Sequence, residues 1–254
     1  MPHAHLRLAS TIRCQSLDAP APFEVWCAEL DRWPTPTELG WLSADEHRRA
    51  RAFAFERDRR RFLTAHVALR AVLAGHLGVA ASALEFERGE FGKPRLRSSG
   101  LQFNLSHGED LALIALTGAD TGVGVDVEQP RPVNDLRALA QALFTENEQR
   151  QVFAETGAGV TRAFFTCWTR KEACLKAVGW GLSVEPASID VGATADPVEL
   201  LVRSGERVAR VVVRSLPPSH GAIVALAQAA PSVNTIALSG RPWRQPSISS
   251  IGAS

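Results

Sequence analysis

The sequence lacks several features that would narrow its function at once. Its formal charge is only +1, which argues against a strong overall field for nucleic acid or a membrane surface. It has no uninterrupted apolar run of the length that a membrane-spanning helix needs. Its first residues also lack the apolar core of a secretory signal. From these absences we expect a cytoplasmic protein that binds neither membranes nor nucleic acid.

Cysteine is also scarce. There are four, at positions 14, 27, 167 and 174, and no two form a Cys-x-x-Cys pair. Cys167 and Cys174 fall on one predicted helix, about 10 Å apart along its axis, which is too far for a disulfide. We therefore expect reduced, mostly buried thiols, as in cytoplasmic proteins.

Two motifs carry the acidic chemistry. The segment Gly124-Val125-Asp126-Val127-Glu128 predicts a strand, in which Asp126 and Glu128 lie on one face and Val127 on the other. The segment 168–176, WTRKEACLK, predicts a helix on which Glu172 and Lys176 share a face. Three carboxylates and one ammonium suit a Mg²⁺ ion that handles a diphosphate, because Mg²⁺ is usually held by a few carboxylates and completed by phosphates.

Each motif alone is more often an ordinary surface feature. An Asp-x-Glu pair at a strand end is commonly a solvated edge, and Glu172 with Lys176 could be an ion pair on a helix surface, of about 0.3–0.5 kcal/mol. The metal-site hypothesis gains weight from a third motif, Phe103-Asn104-Leu105-Ser106-His107, which predicts a strand that ends in polar residues.

These three segments, together with Phe91-Gly92-Lys93-Pro94, resemble the signatures of 4′-phosphopantetheinyl transferases. The resemblance is to the long, monomeric type that activates peptide and polyketide synthetases. It implies transfer of 4′-phosphopantetheine from coenzyme A to a serine of an apo acyl or peptidyl carrier protein. Mg²⁺ is the implied metal, with Mn²⁺ also suited to oxygen ligands, and adenosine 3′,5′-bisphosphate is the implied product.

The resemblance also implies roles for the acidic residues and for one lysine. Asp126, Glu128 and Glu172 would hold the metal, and Glu172 would also be a candidate general base. Because a metal-bound carboxylate is a poor base, Glu172 would take a proton through a bound water or simply orient the nucleophile. Lys176 would offset the charge that develops on the leaving oxygen. Trp168 is expected to anchor the core, while Lys171 is expected either to be solvated or to touch a phosphate.

The residues implied to bind coenzyme A are mostly basic: Arg57, Arg61, Arg88, Lys93, Pro94, Ser106, His107 and Lys176. Among these, His107 is expected to contact a phosphate as a protonated imidazole, and the backbone of Lys93-Pro94 to border the adenine. Glu46 departs from the family, since some relatives carry a phosphate-binding lysine there.

The arginine-rich run 48–61 would also be compatible with roles that do not involve coenzyme A. The run contains seven arginines, at 48, 49, 51, 57, 59, 60 and 61. It could be a solvated helical face or a nucleic-acid contact. The near-neutral charge of the whole chain argues against the nucleic-acid contact.

The chain also carries signs of an internal duplication. A shift of 102 residues places Ser43–Glu46 on Thr145–Glu148, both of them capping-box patterns, although the identities are few and chance is the alternative. We expect strands near 84–87, 101–106, 111–117, 187–191, 198–203, 207–214 and 221–228. Long helices are expected at about 58–77 and 161–178, ended by Gly78 and Gly179.

These elements predict an α+β fold with two similar halves related by a pseudo-twofold. Each half would be a small antiparallel sheet packed on one long helix, with the active site at their interface. The N-terminal half, 1–121, would contact coenzyme A, and the C-terminal half, 122–230, would carry the metal-binding acids. Residues 231–254 are rich in Ser, Pro and Gly and predict a loosely ordered tail. A chain with both halves would work as a monomer.

Two rival functions use the same residues. A metal-dependent nucleotide hydrolase would use the three acids to activate water and would need no carrier protein. A binding module for coenzyme A or for carrier proteins would have lost catalysis, which the presence of all three acids and Lys176 disfavours.

Overall fold

The computed structural model describes residues 10–118, 120–230 and 233–234 of the chain. Within these ranges the fold is α+β, with antiparallel sheets and six α-helices, which confirms the predicted class. The helices are α1 (Pro36–Leu39), α2 (Ala44–Arg51), α3 (Glu56–Leu77), α4 (Leu136–Leu143), α5 (Glu146–Ala154) and α6 (Ala158–Val178). The strands are β1 (Cys14–Leu17), β2 (Glu24–Glu29), β3 (Phe86–Arg88), β4 (Pro94–Leu96), β5 (Gln102–Gly108), β6 (Leu111–Thr117), β7 (Gly122–Glu128), β8 (Val198–Ser204), β9 (Arg207–Ser219), β10 (Ala222–Ala229) and β11 (Val233–Asn234).

The described strands form two larger sheets and one hairpin. The first sheet has the order β1-β2-β6-β5. In the second, β7 pairs with β10 and β10 with β9, while β8 and β11 both pair with β9. Strands β3 and β4 form the separate hairpin. All the pairings are antiparallel, so the short turns between consecutive strands are sufficient to connect most of them.

The two larger sheets pack against each other, and helices cover the outer face of each sheet. Every residue of β6 is buried, because its alternate side chains enter two different cores. Ile114 and Leu116 belong to the core beneath α3, whereas Leu113 and Ala115 belong to the core between the sheets. Strand β7 divides in the same way: Val123, Val125 and Val127 enter the core between the sheets, which leaves the intervening positions for the face beneath α6.

Local sequence signals explain how the helices begin and end. Ser43 before α2 and Thr145 before α5 both form capping boxes with a glutamate three residues on, as predicted. Gly78 after α3 and Gly179 after α6 both have the left-handed conformation that ends a helix, also as predicted.

The glutamates of the α2 and α5 capping boxes are both buried, and each pairs with a cation from a long helix. Glu46 accepts from Arg70, with a shortest distance of 2.7 Å, and Glu148 lies 2.7 Å from the amine of Lys171. Removing one partner would leave a buried charge uncompensated, which commonly costs about 3–5 kcal/mol. The presence of Glu46, where some relatives carry a lysine, is therefore explained by its buried ion pair with Arg70.

The predicted strand at 187–191 is wrong. Residues Pro186–Ser188 form a short 3₁₀ turn instead, and the backbone that follows takes its hydrogen bonds from α6. Lys171 donates to the carbonyls of Pro186 and Ile189, and Arg170 donates to that of Val191. Because side chains satisfy these groups, the segment needs no neighbouring strand.

The thiols are as predicted, and part of the C-terminal segment is ordered in a sheet. All four cysteines are free thiols, and three of them are buried. Across the described ranges, no helix combines the length and apolar character needed to cross a membrane. Of the predicted tail, Val233–Asn234 pair with β9, while the remainder lies outside the described residues.

Candidate functional site

The site is built where β7 lies directly beneath α6. Gly124 has no side chain at the point of closest approach, and an added Cβ would overlap the carbonyl oxygen of Ala173 and the backbone nitrogen of Ala177. At Gly122 an added Cβ would lie 2.6 Å from the carbonyl oxygen of Ala177. These two glycines allow the helix to lie on the strand backbone, and this brings Asp126 beside the last turns of α6.

A hydrogen-bonded cluster joins Asp126 to both neighbouring elements. Ser106 on β5 donates to Asp126 Oδ1 at 2.7 Å, and Lys176 on α6 donates to the same oxygen at 2.5 Å. Lys176 also donates to the hydroxyl of Ser106 at 3.0 Å. The cluster therefore connects one strand of the first sheet with one strand of the second sheet and with helix α6.

The other two predicted ligands surround this cluster. Glu172 lies one turn before Lys176, with its carboxylate 3.9 Å from the lysine amine. Glu128 accepts from the indole of Trp168 at 3.2 Å and from Arg131 at 2.9 Å. Trp168 packs against the core between α6 and the second sheet, as predicted, and its indole also orients a candidate ligand.

The acids disfavour one another's charged forms. Burial raises the pKa of Asp126, and Glu128 adds to this effect, while Lys176 opposes it. Burial also raises the pKa of Glu172, and the charges of Asp126 and Glu128 act in the same direction against Lys176. Three mutually repelling carboxylates favour an added cation, because a positive charge stabilises all of them.

The second oxygen of Asp126 is buried and has no hydrogen-bond partner, although buried carboxylate oxygens are usually satisfied. This oxygen and the surrounding acids have the hard oxygen chemistry that suits Mg²⁺. In the described part of the chain, no three acid, histidine or cysteine side chains are already arranged closely enough to hold a metal. The donor types therefore fit a divalent cation, and the side chains would have to close around it.

A cavity of about 920 Å³ opens between α2, α3 and the β3–β4 hairpin, next to the end of β5. Its polar lining includes two histidines, His66 and His107, and charged side chains of both signs: Arg49, Arg70, Arg88 and Arg97 with Asp45, Glu46, Glu85 and Glu87. Its aromatic lining includes Phe53, Phe62 and Phe86. Arginines beside aromatic faces are suited to a ligand that combines phosphates with a flat ring.

The rings of His66 and Phe62 contact each other on one wall of this cavity, with an angle of 31° between their planes. Their ring centroids are 3.9 Å apart, and the guanidinium of Arg49 lies over Phe62 at 4.9 Å from its centroid. Burial lowers the pKa of His66 to about 4, with Arg49 and His107 contributing in the same direction. His66 is therefore neutral near pH 7, and its Nδ1 lies 2.9 Å from the carbonyl oxygen of Phe62.

The structure divides the predicted coenzyme A residues into two groups. Arg88, Pro94 and His107 line the cavity, whereas Ser106 and Lys176 lie in the acidic cluster. Charges from both groups act on His107. Burial lowers its pKa most, and the charges of Lys176, Arg61 and Arg49 lower it further. The protonated imidazole expected from the sequence is therefore not favoured without a bound anion.

Three other residues that were predicted to bind coenzyme A contact protein groups outside the cavity. Arg57 pairs with Asp58 on the surface, and Arg61 pairs with both Glu109 and Asp110; neither arginine lines the cavity. The amine of Lys93 donates to backbone carbonyls of β7 and α6 and so does not face the cavity.

Lys171 is neither solvated nor placed to touch a phosphate. Its side chain is fully buried against Glu148, so both alternatives predicted for it were wrong.

Sequence reasoning also missed residues that the structure brings to the site. Asn104 accepts from the backbone N–H of Val125 at 2.8 Å and so fastens β5 to β7. The alternation of β5 places Asn104 on the same face as Ser106, and this signal could have identified it. Arg49 and Arg97 also line the cavity. No local sequence pattern distinguishes them from the many other arginines of the chain.

Comparison with known proteins agrees with this geometry. A family model described as the 4′-phosphopantetheinyl transferase superfamily matches residues 122–226, and one described as the N-terminal part of a 4′-phosphopantetheinyl transferase matches residues 25–118. The 4′-phosphopantetheinyl transferase psf-1 of Bacillus pumilus is 30% identical over 183 residues, which cover 71% of this chain and 76% of that protein. The chain belongs to the 4′-phosphopantetheinyl transferase superfamily.

Other members of the superfamily match over shorter stretches. The transferase HetI of Nostoc sp. is 40% identical over 146 residues, covering 56% of this chain and 61% of HetI. The transferase Sfp of Bacillus subtilis is 26% identical over 154 residues, covering 60% of this chain and 67% of Sfp. The chain thus spans less than two thirds of HetI. The predicted family resemblance is confirmed. The match over 122–226 contains Asp126, Glu128, Glu172 and Lys176, and the match over 25–118 contains Ser106 and the lining of the cavity.

The neutral state of His66 predicts a pH effect on the stability of this superfamily member. The unfolded histidine gains a proton near pH 6.5, whereas the folded one resists protonation until about pH 4. Falling pH therefore favours the unfolded chain across this window and removes about 3 kcal/mol from the free energy of unfolding. His66→Phe should flatten this part of the stability profile, measured by urea unfolding between pH 4 and 6.5. If the free energy of unfolding of His66→Phe changed with pH as steeply as that of wild type, the lowered pKa of His66 would be contradicted.

Proposed function

We propose that this protein transfers 4′-phosphopantetheine from coenzyme A to a serine of an apo acyl or peptidyl carrier protein. The observation that carries the proposal is the Ser106–Asp126–Lys176 cluster. The two further acids, Glu128 and Glu172, surround this cluster, and His107, the residue after Ser106, lines a cavity that contains several arginines. The cavity would hold the adenosine and its phosphates, and the cluster would hold the diphosphate and the reacting groups.

We further propose that the active site lies between two similar halves of one chain, with a boundary near residues 121 and 122. The contacts from Ser106 to Asp126 and from Asn104 to Val125 support this arrangement. The matching capping boxes and their buried cations support the pseudo-twofold relation. Because one chain supplies both the cavity and the acids, the protein would act as a monomer.

In the proposed reaction, the seryl oxygen of the carrier attacks the β-phosphorus of coenzyme A. The bond from that phosphorus to the bridging oxygen breaks, and adenosine 3′,5′-bisphosphate leaves. Glu172 would take the seryl proton through a bound water, because a carboxylate that holds a cation is itself a poor base. Lys176 would stabilise the charge on the departing phosphate. A Mg²⁺ ion bound by Asp126, Glu128 and Glu172 would supply positive charge opposite the diphosphate.

The test is the intact mass of several apo carrier proteins after incubation with the protein, coenzyme A and Mg²⁺. We expect each true substrate to gain one phosphopantetheine and an equal amount of adenosine 3′,5′-bisphosphate to appear. Release of the bisphosphate without any carrier would instead indicate the hydrolase. Tight binding of coenzyme A with no change in carrier mass would indicate the binding module.

The cavity assignment predicts which arginine matters for coenzyme A. Arg49→Gln should raise the dissociation constant for coenzyme A about 10-fold or more, because hydrogen bonds to charged groups contribute about 1.5–3 kcal/mol each. Its effect on dephospho-coenzyme A should be much smaller. The matched control is Arg48→Gln, since Arg48 pairs with Asp45 on the surface and does not line the cavity. Equal binding of coenzyme A by wild type and Arg49→Gln would refute this role.

A further inference from the structure

We infer that Lys93 is a positioning residue that holds the end of α6 against β7 and thereby sets where Glu172 and Lys176 stand. The inference rests on three hydrogen bonds that cross between distant parts of the chain. The amine of Lys93 lies 2.8 Å from the carbonyl oxygen of Val123 on β7. It also lies 2.7 Å from that of Lys176 and 3.3 Å from that of Ala177.

The acceptors explain why an amine is suited to this position. The last four carbonyls of an α-helix lack partners within the helix, and the carbonyl end of a helix attracts cations. Lys176 and Ala177 belong to the last turn of α6, so the amine of Lys93 satisfies groups that would otherwise be left without donors. Burial lowers the pKa of Lys93 to about 8, which still leaves the ammonium as the main form at pH 7.

The aliphatic part of the Lys93 side chain packs against Gly179, the residue that ends α6. Gly179, which ends α6, has a left-handed backbone with φ of 69°. An added Cβ at Gly179 would lie 2.9 Å from Cδ of Lys93. The same glycine therefore ends the helix and leaves space for the lysine stem.

This contact connects the two parts of the proposed site. Pro94, the next residue, lines the cavity, so consecutive residues bind the helix end and form the cavity wall. The amine binds β7 three residues before Asp126 and binds the backbone of Lys176 itself, whose side chain contacts Asp126. Without Lys93, the last turn of α6 could move relative to β7, and the ammonium of Lys176 would lose its defined place.

The experiment compares Lys93→Met, which retains the length of the side chain, with wild type in the full chain. Hydrogen exchange should become at least about 10-fold faster for amides in the last turn of α6, because a local opening there loses three hydrogen bonds. Exchange in α3 should stay unchanged. The matched control is Arg95→Met, which should exchange as wild type does. Arg95 lies on β4 close to Lys93 in sequence, and its exposed guanidinium lies 3.6 Å from Glu87.

The kinetic readout rests on the proposed function. Lys93→Met should lower kcat about 10-fold or more and leave the KM for coenzyme A within about 2-fold, because the cavity arginines are untouched. Lys93→Arg, which retains a cation, should recover part of kcat. Wild-type exchange in α6 of Lys93→Met, or equally faster exchange throughout the chain, would overturn the positioning role. Absence of transfer by the wild type would refute the proposed function alone, because the exchange comparison does not depend on activity.

Discussion

Replacing Asp126 with asparagine is expected to lower the transfer rate at least about 100-fold while the fold persists. Asp126 is 4% exposed, and its Oδ1 accepts from Ser106 and Lys176. Asparagine retains this oxygen but removes the negative charge opposite Lys176. It also replaces the unpartnered Oδ2 with a donor that cannot bind a cation. Losses of this size are typical when one preorganised electrostatic contact is removed.

The measurement is the initial rate of carrier modification by intact mass, with far-UV circular dichroism to verify the fold. In the wild type, Mg²⁺ should also raise the thermal midpoint, since a ligand that binds only the folded state stabilises it, and this shift should disappear in Asp126→Asn. Glu199→Gln is the matched control, because Glu199 is an exposed carboxylate in the same half that pairs with Arg210. A folded Asp126→Asn protein with a near wild-type rate would exclude the metal assignment.

Replacing Gly124 with alanine is expected to cost at least about 3 kcal/mol of unfolding free energy. An added Cβ would overlap backbone atoms of Ala173 and Ala177, and backbone cannot rotate away as a flexible side chain can. Helix α6 would have to lift from β7, which would also open the core between them. Overpacking commonly costs about 1–3 kcal/mol, and an overlap with helix backbone lies at or above the upper end.

Urea unfolding of Gly124→Ala tests this expectation directly. Gly118→Ala is the matched control, because an added Cβ there meets no atom within 4 Å, so its unfolding free energy should stay within about 0.5 kcal/mol of wild type. If Gly124→Ala unfolded at the same urea concentration as wild type, the close approach of α6 to β7 would be wrong. Transfer activity should fall with stability, because the same shift moves Lys176 away from Asp126.

Much of the local structure around the site could be predicted because it depends on short sequence patterns. The alternation of β7 predicted that Asp126 and Glu128 share a face, and the helical spacing predicted that Glu172 and Lys176 do. Capping boxes and glycines predicted where the helices begin and end. The segment after Pro186 could not be predicted, because its carbonyls bind side chains of α6 that are distant in sequence.

The sequence by itself determined the family, the α+β class and the residues of the acidic cluster, since each depends on patterns a few residues long. Only the tertiary structure decided which basic residues face the site. Lys171 and Lys176 lie on the same helix, yet Glu148 binds the first in the core and Asp126 binds the second at the site. Lys93 caps α6 and Arg49 reaches the cavity. The local sequence around a lysine or arginine says little about where its charged group will lie. That position depends on which distant carboxylate or carbonyl oxygen the fold brings within reach of the side chain.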